Sequence, residues 1–181
     1  STAANLCFFY QMSLIMIATA AQVFIGQFQG AKKNLLIGPF TWQIIWFSLL
    51  SMIVTYPLSF LTTLYVQGSE IQEPATLYFK YLSAVNFLYP LGATLSAFYI
   101  GRGKTRIILL VNLCIQGLNI GLDYLLIFGV SGWFEGMGIK GAAIATISSQ
   151  SLLCIILMSM FLQMSSILKI LSQMMLINTK L

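Results

Sequence analysis

The chain reads as long uncharged apolar runs separated by short polar segments, with runs over 6–28, 40–66, 81–100, 107–128 and 142–161. Each has about the length that an α-helix needs to cross a hydrocarbon core roughly 30 Å thick at about 1.5 Å of rise per residue. In lipid every backbone donor and acceptor needs a partner within the protein, so the β-branched stretches predict helices rather than strands with open edges. The pattern therefore predicts an all-α, polytopic membrane helix bundle of five transmembrane helices. Residues 1–163 form the membrane domain, and 164–181 a more polar tail that is cytoplasmic or interfacial.

Composition supports the same class. Hydrophobic residues make up 59% of the chain and charged residues 7%, with a mean hydropathy of +0.90, whereas soluble domains carry about 25% charged residues. The net charge of +5 predicts no nucleic-acid partner, because the basic residues sit in clusters between apolar runs rather than along one face. Lys32 and Lys33 occupy the first loop, Lys80 the second, Arg102, Lys104 and Arg106 the third, Lys140 the fourth, and Lys169 and Lys180 the tail. Basic content thus alternates 2, 1, 3, 1, 2. Since Lys and Arg concentrate in cytoplasmic loops, the N-terminus is expected outside and the C-terminus inside, in the plasma (inner) membrane. The segment 67–80, with Glu73-Pro74 at its centre, reads as an outer loop. The N-terminus lacks the basic region, short apolar core and cleavage site of a signal peptide.

Inside the spans the polar residues are not scattered. Asn112, Gln116, Asn119 and Asp123 follow one another at intervals of 4, 3 and 4, which places them within an arc of roughly 60° on a helix. A single amide could serve only to tie two helices together, for about 0.6–2 kcal/mol, but four polar groups in register, one of them ionisable, predict a cavity lining. Gln11, Gln22, Gly26 and Gln29 form a similar stripe on the first span, and Ser83, Asn86, Pro90 and Thr94 on the third. Gln22, Asn86, Pro90, Asn112 and Gln116 are thus the candidate cavity-lining residues. Pro90, read as mid-span, predicts a kink and a freed backbone carbonyl. In the fifth span Gly138, Ala142, Ala145, Thr146 and Ser149 form a small-residue face suited to close helix packing, with Thr146 the one pore-facing hydroxyl.

Enzymatic chemistry has little to stand on. The chain has no His, which excludes His-activated nucleophiles and His metal ligation, and one intramembrane Asp cannot supply a catalytic carboxylate pair. The Gly-Lys-Thr within "GRGKTR" (101–106) lacks the first glycine of a phosphate-binding loop, since position 98 is Phe. Cys7, Cys114 and Cys154 have no metal-ligand spacing and read as small buried apolar side chains. No cofactor is expected.

The stretches "AQVFIGQFQGAKK" (21–33), "GRGKTR" (101–106), "NIGLDYLLIFG" (119–129) and "GMGIKGAAIATISSQ" (136–150) resemble, in order, spacing and loop polarity, the multidrug and toxic compound extrusion (MATE) transporters. The resemblance extends through about residue 161. Members of that family have twelve spans in two six-helix lobes and exchange H⁺ or Na⁺ for drugs and organic cations; this chain resembles spans two to six of the first lobe. The resemblance implies a cation-coupled antiporter that is not an enzyme. It assigns ion coupling to Asp123, Asn119 and Thr146, with Na⁺ held at Asp123 if Na⁺ is the coupling ion and no other metal. The partners implied are H⁺ or Na⁺, a small organic cation or drug, the lipid bilayer, and the missing transporter helices and second lobe. A lipid-linked oligosaccharide flippase of related architecture is the competing transport reading. Such a protein needs Arg or Lys in its cavity to hold pyrophosphate, and the spans contain none. A non-transporting truncated remnant that needs a partner chain is the other.

Overall fold

A computed structural model of the chain describes residues 2–66, 85–130 and 134–178. Helices dominate: α1 (Thr2–Gly30), α2 (Asn34–Val66), α3 (Leu88–Gly101), α4 (Thr105–Phe128) and α5 (Ile139–Asn178). Between α4 and α5 a two-residue antiparallel ladder joins β1 (Gly129–Val130) to β2 (Phe134–Glu135). The apolar pattern has no room to announce so short a ladder. Among the described residues four stretches, Gln11–Gly30, Asn34–Ile53, Thr105–Phe128 and Ile139–Met164, are long and apolar enough to cross a membrane. The third expected span appears as α3, and its first part, 81–84, lies outside the described residues, as does the loop 67–80.

Helix ends differ from the predicted runs, and two of the differences have a structural meaning. Helix α2 begins six residues before position 40 and takes Pro39 into its second turn. The cause is local: 34–39 carries no charge, and Leu36 N–H donates to the Lys33 carbonyl to start the helix. Helix α5 runs unbroken to Asn178, so no break in the backbone marks the division expected at 163/164.

Helix α3 is the centre of the bundle and packs against each of the other four helices. Its sequence, LYPLGATLSAFYIG, is apolar on every side, and a helix without a polar face belongs in a protein interior. Leu95, Phe98 and Tyr99 are fully buried there, together with Ile25 of α1, Ile37 and Ile45 of α2, and Leu157 and Phe161 of α5. The Phe161 ring stands edge-on to Phe98 at 4.9 Å and to Trp42 at 5.7 Å, which ties α2, α3 and α5 together. In a bilayer, dispersion contacts of this kind hold helices together, because lipid is as apolar as a leucine side chain.

On α1 the residues Leu14, Ala18, Ala21 and Ile25, spaced 4, 3 and 4, are all buried, and the two alanines at the middle of the row are small. Small side chains let backbones approach, and the approach is closest at Gly101, where a Cβ would come within 2.7 Å of the Gln22 carbonyl oxygen and 2.8 Å of Ile25 Cβ. One buried polar contact joins α2 to α3, the Ser48 and Thr94 hydroxyls 3.0 Å apart. Each hydroxyl also lies 2.9 Å from the carbonyl one turn back, Ile44 and Pro90 respectively. Two protons therefore serve three contacts, and one carbonyl yields its share to the interhelical bond.

The turn after α1 and the turn after α3 share one design. Lys32 N–H donates to the Gln29 carbonyl and Lys33 N–H to Phe28, as Gly103 N–H does to Ile100 and Lys104 N–H to Tyr99. This is the Schellman arrangement, whose penultimate residue adopts a left-handed conformation. Gly103 takes it at φ 74°, and Lys32 takes it at φ 57°, where a side chain costs about 1 kcal/mol more than glycine. A cation at that turn is thus retained against a local backbone preference. Because Gly101 touches α1 near its C-terminus, both turns lie at the same end of the bundle, with Lys32, Lys33, Arg102, Lys104 and Arg106.

Candidate functional site

The polar stripe of α4 sits at the rim of its buried face. Ile108 and Ile115 are its buried residues, and Leu109, Leu110, Leu113, Ile120, Tyr124 and Phe128 are exposed on the opposite side. Between these surfaces, Asn112, Asn119 and Asp123 are half-buried and Gln116 is exposed. Asp123 lies in the last third of α4, toward the end of the bundle opposite the five cations.

Asp123 Oδ1 and Asn119 Nδ2 are both buried, and neither has a hydrogen-bond partner among the described residues. The amide nitrogen therefore does not donate to the carboxylate one turn away. The two short side chains are carried on Cβ atoms about 5–6 Å apart, one turn from each other along the same row of α4. Thr146 on α5 is half-buried, and its hydroxyl donates to the Ala142 carbonyl at 2.9 Å. The three residues assigned to ion coupling are thus not joined to one another by hydrogen bonds in this conformation.

Helices α4 and α5 form an antiparallel hairpin that sets their relative depth. Met137 and Gly138 N–H donate to the Leu126 and Ile127 carbonyls, which completes the C-terminal end of α4 in the way a buried helix end requires. Gly141 sits directly against the Leu126 backbone, where a Cβ would come within 2.6 Å of the carbonyl carbon. Counting along both antiparallel helices from that contact brings Thr146 opposite Gly121, between the levels of Asn119 and Asp123, and Ser149 opposite Leu118, next to the level of Asn119. Ser149 is 3% exposed and its hydroxyl has no partner among the described residues. Sequence reasoning placed Ser149 on a packing face only; its period is that of the neighbouring small residues, so nothing in the pattern separates it from them.

The other predicted lining residues divide. Gln22 is half-buried on α1 with its carbonyl against Gly101. Asn86 is half-buried in the turn before α3, and its carbonyl accepts from Tyr89 N–H at 3.3 Å. Pro90 is not mid-helix: it is buried in the first turn of α3, where an N–H has no intrahelical partner to lose, so the expected kink and freed carbonyl do not arise. Thr94, one turn on, is committed to Ser48. Cys154 is buried, and its thiol and Gln150 Nε2 each lie 3.3 Å from the Leu88 carbonyl, but Cys114 is exposed on the apolar side of α4, contrary to its reading as a buried side chain. Among the described residues no cluster of His, Cys, Asp and Glu could hold a metal ion through three such ligands.

Long apolar helices with outward-facing Leu, Ile and Phe define an integral membrane protein. A family model described as MatE matches residues 1–125; the chain belongs to the MatE family. It is similar to the probable multidrug resistance protein NorM of Thermotoga maritima, at 30% identity over 145 residues, covering 77% of this chain and 31% of that relative. No solved structure gives a significant match. Asn119 and Asp123 fall inside the family match and Thr146 beyond it.

Proposed function

We propose that this chain is part of the first lobe of a cation-coupled exporter of drugs and organic cations, and that Asp123 is the group whose charge changes during transport. The observation that carries this reading is the orphaned Asp123 carboxylate oxygen beside an orphaned Asn119 amide, inside a membrane-spanning helix. A carboxylate there costs about 2.5–3.5 kcal/mol on insertion scales, and such groups mark ion pathways. H⁺ or Na⁺ at Asp123 neutralises the carboxylate and favours one packing of α4 against α5; release leaves a negative site that attracts a cationic substrate. Asn119 offers an amide oxygen to the same ion. Thr146 and Ser149 bring hydroxyl oxygens to a similar depth, and Gln22, Asn86, Asn112 and Gln116 belong to the lining. The family resemblance and the similarity to NorM support multidrug efflux as the activity and give no support to an enzymatic one. The absence of Lys and Arg from the spans disfavours the flippase reading.

The test is transport by the complete polypeptide that contains this segment, reconstituted in vesicles with a fluorescent organic cation. Efflux driven by an imposed H⁺ or Na⁺ gradient, and collapsed by the matching ionophore, is the expected result. Substrate movement that ignores both gradients overturns the coupling.

We assign the basic end of the bundle to the cytoplasm, in the plasma (inner) membrane, with the N-terminus outside, on the strength of the five cations gathered there. With Cys7, Cys114 and Cys154 replaced by alanine, Thr105→Cys should react with an impermeant thiol reagent only after the membrane is opened, and Met137→Cys in intact cells. Both positions are exposed. The reverse labelling pattern would invert the topology.

A further inference from the structure

The basic end of the bundle holds a cation that the transport reading leaves unused. Arg102 follows α3 directly and is half-buried. Its guanidinium carbon lies 5.3 Å from the centre of the Phe98 ring, and Nη1 donates to Met164 Sδ at 2.7 Å. A thioether is a weak acceptor, and a guanidinium has five donors to satisfy. Nε is buried without a hydrogen-bond partner among the described residues, and so is the hydroxyl of Tyr99, a residue with 0% exposure. Burial pulls the pKa of Arg102 below its ordinary value, and no carboxylate among the described residues acts against that pull. The guanidinium nevertheless stays charged. A partly desolvated cation with a neighbouring unpartnered phenol is a costly arrangement unless an anion accepts from both.

We infer that Arg102 and Tyr99 form a binding site for the phosphate of an anionic phospholipid headgroup, in the leaflet that meets the basic end of the bundle. Three features favour a lipid over a carboxylate supplied by protein. Arg102 stands at the helix terminus, where headgroup phosphates lie, and its planar fork matches a phosphate bidentately. Lys32, Lys33, Lys104 and Arg106 flank it at the same end and are all exposed, which suits the negative potential of an inner leaflet at roughly 1 kcal/mol per cation. Directly beyond the loop, Leu109, Leu110 and Leu113 of α4 are each about three-fifths exposed, at 60%, 62% and 61%, and offer an apolar surface to acyl chains. The site stands independently of the transport reading, because none of its residues lies in the Asp123 layer.

The experiment compares the complete polypeptide that contains this segment in phosphatidylcholine nanodiscs with and without a minor fraction of phosphatidylglycerol. It reads the thermal midpoint and, after transfer to mixed micelles, the lipid retained in native mass spectrometry. Expected are a raised midpoint and retention of phosphatidylglycerol well above phosphatidylcholine. Arg102→Gln should lower that retention about tenfold, as the loss of one charge-assisted bidentate contact implies, and Tyr99→Phe about threefold. Lys104→Gln with Arg106→Gln should act more weakly and only at low salt. The midpoint in pure phosphatidylcholine serves as the folding control. If Arg102→Gln fails it, Arg102→Lys, which keeps the charge and loses the fork, should still reduce retention severalfold. Equal retention of the two lipids overturns the site. So does a loss that follows Lys104 and Arg106 but not Arg102, or a midpoint rise that millimolar inorganic phosphate reproduces in full without lipid.

Discussion

Asp123→Asn, placed in the complete transporter, should reduce ion-driven efflux of a fluorescent organic cation to the uncoupled background, while the protein inserts as well as the parent or better. Asn has nearly the shape of Asp, so packing in the α4 rim is preserved, and removal of an intramembrane carboxylate relieves about 2.5–3.5 kcal/mol of insertion cost. What is lost is the difference between two charge states. A driving ion shifts a conformational equilibrium only by the difference in its affinity for the two conformations, and an amide offers H⁺ none and Na⁺ far less. A coupling of about 1–3 kcal/mol corresponds to a factor of about 5–150, so the expected loss of coupled rate is at least about fivefold. Asn119→Ala should leave coupled efflux in place but shift its dependence on pH or Na⁺, because it removes the amide beside the carboxylate and leaves the carboxylate itself intact. Ser149→Ala, next to the level of Asn119 and with its hydroxyl orphaned in this conformation, should shift it in the same sense and by less. If Asp123→Asn retains the parent rate and ion dependence, Asp123 is a solvation or packing residue and the coupling site lies elsewhere.

How much of this was legible without coordinates depends on whether polarity or packing fit carries the information. The uncharged runs mark the helices, because lipid demands apolar surface over a fixed length, and α1, α2, α4 and α5 each overlap the run that predicts them. The α4 stripe is visible because Asn, Gln and Asp contrast sharply with Leu and Ile. The core seam of α1 is not: Leu14, Ala18, Ala21 and Ile25 face α3, whereas Val23 and Phe24 face outward at 55% and 49% exposure, and no difference in hydrophobicity separates the two sets. In a membrane helix what separates packing from lipid contact is fit to the neighbouring helix, which hydropathy does not register. Polar contrast can also mislead. Thr94 shares a stripe with Asn86 and Pro90, yet its hydroxyl is buried against Ser48, since a Thr that bonds its own backbone one turn back needs no cavity. Pro90 reads as mid-span from the apolar run, whereas the turn at 85–87 puts it at the start of the helix.

Glycines give the second large effect, and the same residue type supplies its own control. Gly101→Ala should destabilise the chain by about 1–3 kcal/mol, the usual range for overpacking, because its Cβ would lie 2.7 Å from the backbone carbonyl oxygen of Gln22 and 2.8 Å from Ile25 Cβ, neither of which is the end of a flexible side chain. The α1–α3 crossing would have to open, and α3 is the helix against which the whole bundle packs. Gly141→Ala should cost as much at the opposite end, against the carbonyl carbon of Leu126 at 2.6 Å, and should also disturb the α4–α5 register on which the relative depth of Asp123, Thr146 and Ser149 depends. Gly92→Ala should cost less than either: its nearest neighbour is Gln150 Nε2 at 2.9 Å, the far end of a side chain that can swing aside at the expense of its hydrogen bond to the Leu88 carbonyl. Gly117→Ala and Gly121→Ala meet nothing within 4 Å and should be neutral or stabilising by up to about 1 kcal/mol through helix propensity. The measurement is the thermal midpoint of each variant in one detergent, followed by the helical circular dichroism signal. The order Gly101 and Gly141 below Gly92, and Gly92 below Gly117 and Gly121, follows from backbone contacts that differ only from one helix crossing to the next; equal midpoints for all five variants would mean that the α1–α3 and α4–α5 crossings are not packed as described.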